Sequence, residues 1–77
     1  MSDFNHIDKE LLSRRQAAEH LVDIAYSLTA GGPLEVSMAG RRIKIPMANE
    51  LHMERELKSD GERVALELEL KWSSPEG

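Results

Sequence analysis

Three groups of side chains in this 77-residue sequence have the types that chemistry requires. His20, Asp23 and Ser27 carry the functional groups of a hydrolytic triad: a base, an orienting carboxylate and a nucleophilic hydroxyl. On a helix, however, His20 and Ser27 stand about two turns apart, roughly 10 Å along the axis and beyond hydrogen-bond reach. A convex helix face also supplies neither a pocket nor an oxyanion hole. The set reads as a solvated face, and the expected protein is not an enzyme.

The second group is acidic. Glu54, Glu56, Glu67 and Glu69 share one parity of two adjacent strands, with His52 beside them. Hard cations need about six to eight oxygens converging from a concave loop, and a sheet face is flat. Zinc would want a close histidine pair, which is absent. No metal and no cofactor are expected. These five residues form instead a candidate interaction surface for a basic partner, set against a plainer reading in which Lys44, Lys58, Arg63 and Lys71 make it a balanced, solubilising face.

Arg14 and Arg15 make the third group. The first turn of a helix has free N–H groups and a positive pole, so two arginines there are repelled unless an anion joins them. They are the candidate anion-binding residues, and Arg41, Arg42 and Lys44 could extend the positive strip. A structural alternative pairs Arg15 with Glu19 at i,i+4 and Arg14 with Asp8, Glu10 or a sheet glutamate. No aromatic residues interleave with these basics as in single-strand binders.

Each group needs an element to hold it. The stretch 63–72, R-V-A-L-E-L-E-L-K-W, alternates strictly: Val64, Leu66, Leu68, Leu70 and Trp72 on one side, Ala65, Glu67, Glu69 and Lys71 on the other. That is a strand with one buried face. Asp60-Gly61 predicts a two-residue type I′ turn before it. Closing that turn sets Leu57 opposite Val64, Met53 opposite Leu68, Leu51 opposite Leu70, Arg55 opposite Leu66, Glu54 opposite Glu67 and His52 opposite Glu69. Arg55 must then snorkel outward at the sheet margin.

Residues 34–38 and 41–45 read as another hairpin around Ala39-Gly40. Val36 faces Ile43, Leu34 faces Ile45, and Glu35 meets Lys44 on the other side. Ala39 disfavours positive φ, so the turn type stays open. Pro46 ends that strand and 46–50 is a loop. The helix starts at Ser13, whose spacing to Gln16 is that of a capping box. Ala17, Leu21, Ile24 and Leu28 form its apolar stripe, widened by Ala18, Val22 and Ala25, with Tyr26 at its edge and Gln16, Glu19, His20, Asp23 and Ser27 opposite. Gly31-Gly32-Pro33 stops it.

The expected fold is α+β in two layers: one amphipathic helix on an antiparallel four-stranded meander, with a short fifth strand from the N-terminal arm as an option. The expected core is Leu21, Ile24, Leu28, Leu66, Leu68, Leu70 and Trp72, with Met38 and Met53 as filler. One domain spans 1–77, ordered over 4–72 with a flexible tail at 73–77. No cysteine is present, no apolar run approaches the ~20 residues that cross a bilayer, and M-S-D-F-N-H has no signal-peptide character. The expected location is the cytoplasm, away from membranes.

The runs S-R-R-Q-A-A-E-H-L-V-D-I-A-Y-S-L-T-A-G-G, L-E-V, I-K-I-P and L-E-L-E-L-K-W resemble the amphi-Trp domain family over residues 4–72. The acidic-apolar alternation ending in Trp72 is the most specific part. Met47-Ala48-Asn49-Glu50 departs from it, since a more acidic turn after the proline is the family's pattern. The resemblance implies the same α+β architecture. It brings no catalytic residue and no activity.

The function expected is a small non-catalytic module for protein interaction or self-association. The alternative is an anion or nucleic-acid-phosphate binder using the helix start with Arg14, Arg15, Arg41, Arg42 and Lys44. A net charge of −4 places nucleic acid behind protein as a partner. A homodimer is expected, because a core this small without disulfides or metals often needs such a staple. Four strands ~4.8 Å apart exceed the ~10 Å that one helix covers, so either Phe4 and Ile7 tuck in or a second copy shields the rest.

Overall fold

The computed structural model describes residues 3–75. Met1 and Ser2 lie outside the described residues, as do Glu76 and Gly77 at the end of the expected tail. The elements run α1 (Arg14–Ala30), β1 (Leu34–Met38), β2 (Arg41–Ile45), β3 (His52–Ser59) and β4 (Val64–Lys71). Helix first, then four antiparallel strands, is the expected α+β order. Among the described residues no helix is long and apolar enough to cross a membrane.

α1 begins where the sequence says it should. Ser13 is extended at φ −72°, its Oγ accepts from the Gln16 N–H at 3.1 Å, and its own N–H donates to Gln16 Oε1 at 3.0 Å. That reciprocal pair satisfies two donors that a helix start otherwise leaves open. Gly31 ends the helix in the left-handed region at φ 84°, where a side chain would be strained. The chain then returns along the helix as β1.

β1 and β2 pair in the expected register, with Val36 opposite Ile43 and Leu34 opposite Ile45. The turn between them places Ala39 at φ 50° and Gly40 at φ 74°, both positive as a type I′ turn demands. A left-handed conformation costs a non-glycine residue roughly 1–2 kcal/mol. Ala39→Gly should therefore raise stability by about 0.5–1 kcal/mol after glycine's entropy cost. A lower denaturation midpoint for that variant would show that the Ala39 side chain stabilises the turn.

The four strands form two separate two-stranded sheets, β1–β2 and β3–β4, where the sequence suggests a single meander. Pro46 has no N–H to continue a ladder, and residues 46–51 carry the chain away before β3 starts. α1 packs on β1, and the β3–β4 hairpin packs on no other described element. The radius of gyration is 14.2 Å, against about 11.5 Å for a compact chain of this length. The long axis measures 43 Å against 24 and 23 Å across. The second hairpin stands out from a small body.

The core is correspondingly small. Leu34, 6 % exposed, is the one buried hydrophobic side chain among the described residues. Ile24, Leu28, Leu70 and Trp72 are half-buried, whereas Leu21, Leu66 and Leu68 of the expected core are exposed. The reason is geometric: the helix packs on the first hairpin, and no described element lies over the second. The N-terminal arm forms no strand among its described residues. It lies beside β1–β2, where Phe4, Asn5 and His6 line a shallow groove with Val36, Met38 and Ile43, and Asp8 Oδ2 accepts the Ala39 N–H at 3.0 Å. Phe4 and Ile7 are largely exposed and do not close the second hairpin.

Candidate interaction surface

The β3–β4 hairpin owes its shape to one carboxylate. Asp60 Oδ1 accepts from the Glu62 N–H at 3.1 Å and the Arg63 N–H at 2.9 Å, and the Asp60 N–H donates to the Arg63 carbonyl at 3.2 Å. Those bonds hold Glu62 and Arg63 inside the loop. Ser59 therefore pairs with Val64, not with Glu62. The expected register moves by two residues: Leu57 faces Leu66, Arg55 faces Leu68, Met53 faces Leu70, Glu54 faces Glu69, Glu56 faces Glu67 and His52 faces Lys71. Leu51 precedes the ladder. A shift of two keeps every side chain on its predicted face.

The outward face carries all five candidate residues, Glu54, Glu56, Glu67, Glu69 and His52, with two lysines clamping the glutamates in cross-strand pairs. Lys71 Nζ lies 2.8 Å from Glu54 and 3.8 Å from Glu69; Lys58 Nζ lies 3.3 Å from Glu67 and 3.7 Å from Glu56. The Lys71 hydrogen bond holds the Glu54 carboxyl below its usual range, and Glu54 in turn raises the Lys71 ammonium. The Arg63 and Glu62 amides lower Asp60 likewise. By sign, the two carboxylates contribute above the ordinary carboxylate range, and that contribution fades as pH falls through their lowered values. Lys71 contributes below the ordinary lysine range and loses that as pH rises through its raised value. Ion pairs this exposed contribute little to stability. No cluster of three or more His, Asp or Glu side chains arranged to hold a metal occurs among the described residues.

The inward face is the unusual one. Leu57 and Val64 are each 73 % exposed, Leu66 65 %, Met53 53 % and Leu68 50 %. Exposed apolar side chains grouped in this way are uncommon on a free monomer. Arg55 stands in its middle, and no ion pair or hydrogen bond engages it among the described residues. The half-buried Trp72 anchors the base of the hairpin, where its Nε1–H donates to the Pro46 carbonyl at 3.0 Å.

The remaining candidates are dispersed. Ser27 is buried, not solvated: its Oγ accepts the Glu35 N–H at 2.9 Å and donates to the Pro33 carbonyl at 3.3 Å, tying the helix end to β1. Its place beside Ile24 and Leu28, just ahead of a three-residue link, was the available signal. His20 Nε2 sits 4.0 Å from Glu10 while Ser27 bonds to Pro33 and Glu35, so these side chains do not assemble as a triad. The expected Arg15–Glu19 pair does not form among the described residues, and Arg14 likewise lacks an ion pair there. Arg15, Ala18, Glu19, Val22 and Asp23 line an open groove along the helix. Arg42 is held by Glu35 at 3.5 Å and by Ser37 Oγ at 3.0 Å.

A family model described as the Amphi-Trp domain matches residues 4–77. No curated protein and no solved structure matches the chain.

Proposed function

The chain belongs to the Amphi-Trp domain family, and from that premise we propose that it is a non-catalytic module whose business is self-association through the β3–β4 hairpin. The observation that carries this reading is the uncovered inward face, where five apolar side chains are at least half exposed on a hairpin that touches no other described element. A hairpin alone is marginal in water and needs packing on one face. Its outward face is already satisfied by the lysine clamps, so the apolar side is where a partner is worth most.

The phosphate-binding reading ranks second. Arg14 and Arg15 are available to an anion, but Arg42 is engaged by Glu35 and Ser37, which breaks the proposed strip. Sedimentation from micromolar to millimolar concentration separates the two. Self-association predicts a mass that doubles with concentration and a melting point that rises with it. A monomer at every concentration sinks the reading, and salt-sensitive shifts of the amides at 13–17 on adding phosphate would favour the second.

A further inference from the structure

Two partly apolar surfaces stay exposed among the described residues, and each carries charged side chains that form no ion pair there. One is the inward face of β3–β4, with Arg55 in its middle. The other lies on α1. There Val22 and Tyr26 are exposed, and Arg15, Glu19 and Asp23, none with an ion pair among the described residues, line a groove with Ala18 and Val22. The two elements match in length. Eight strand residues at ~3.3 Å and seventeen helix residues at ~1.5 Å both give about 26 Å.

We infer that the dimer is reciprocal. The β3–β4 face of each copy lies along α1 of the other, and Arg55 of one copy meets Glu19 and Asp23 of the second. This rests on the self-association proposed above and names its surface. Charge selects the arrangement. Stacking one hairpin face on another would bring two Arg55 guanidiniums into one desolvated layer that holds no carboxylate, and an unpaired buried charge is strongly unfavourable. Laid on α1, each Arg55 reaches a groove with two carboxylates and the single guanidinium of Arg15.

Area selects it too. A two-stranded face ~26 Å long and ~10 Å wide has a flat footprint of about 260 Å². One hairpin-on-hairpin stack would remove about 500 Å² in all, whereas two reciprocal contacts remove about 1,000 Å², the lower bound for a specific interface. The chain's own helix is an unsuitable partner. The Trp72 bond to Pro46 ties the base of the hairpin to the end of β2, and β1 is the strand on which α1 packs among the described elements.

Charge reversal in two separate chains tests this. Arg55→Glu alone, and Glu19→Arg with Asp23→Arg alone, should each weaken dimerisation by about ten-fold or more in sedimentation. Mixed one to one, they should associate again near wild-type strength, because both contacts of the heterodimer then pair opposite charges. Helix content by circular dichroism, read at concentrations where all chains are monomeric, checks that every variant is folded. If wild type dimerises but the mixture fails to recover, self-association stands and the helix–hairpin geometry is wrong. If Arg55→Glu pairs best with wild type, the hairpins stack face to face. A wild-type monomer at all concentrations overturns both proposals.

Discussion

Replacing Leu34 with alanine is expected to remove most of the stability of this protein. Leu34 is the one hydrophobic side chain that the described residues bury, and it sits where β1 meets α1. Leucine-to-alanine changes at buried sites cost about 2–5 kcal/mol from lost transfer energy and the cavity left behind. A core this small supplies only about 3–5 kcal/mol in total. The variant should therefore melt at or below room temperature, with helix signal lost in the same transition.

Leu66→Ala makes the comparison sharp. Leu66 is the same residue type but lies on the exposed hairpin face, so in dilute solution its loss should shift the denaturation midpoint by no more than about 0.5 kcal/mol. At high concentration the shift should grow, since a self-associating face adds stability by mass action. Equal effects of the two changes in dilute solution would mean the hairpin face is packed within the single chain.

The second large effect is expected at Trp72. Its ring is half-buried and its Nε1–H holds the Pro46 carbonyl, so it joins the end of β4 to the end of β2. Trp72→Ala should cost about 2–3 kcal/mol, below the ~3–5 of a fully enclosed aromatic. The loss should be local: faster amide exchange across β3 and β4, with α1 and β1 protected as before. Trp72→Phe keeps most of the apolar contact and isolates the hydrogen bond, worth about 1 kcal/mol. A Trp72→Ala variant whose β3–β4 amides exchange at the wild-type rate would show that the indole does not anchor the hairpin.

What the sequence alone determined has local physics. Ser13 and Gln16 specify the helix start because both hydrogen bonds of the capping box close within four residues. Gly31 specifies its end through a single left-handed residue. Parity assigns each strand residue to a face, and so puts Glu54, Glu56, Glu67 and Glu69 opposite the leucines. Val36 against Ile43 follows from the two-residue turn at Ala39-Gly40. The final acidic-apolar alternation carries the family resemblance for the same reason.

Only the tertiary structure decided the rest. Parity fixes a register modulo two, and the Asp60 carboxylate, by drawing the Glu62 and Arg63 amides into the loop, chose the pairing that the pattern left degenerate. Ser27 is polar and reads as solvent-facing, yet a Pro33 carbonyl and a Glu35 N–H distant in spacing make its burial favourable. Whether β2 and β3 join into one sheet depends on where Pro46 and the following residues send the chain, which no periodicity encodes. The same holds for the exposed leucines of β4. Alternation says they need a cover, but which surface provides it is a matter of shape and charge across the whole fold, and within this chain α1 is turned elsewhere.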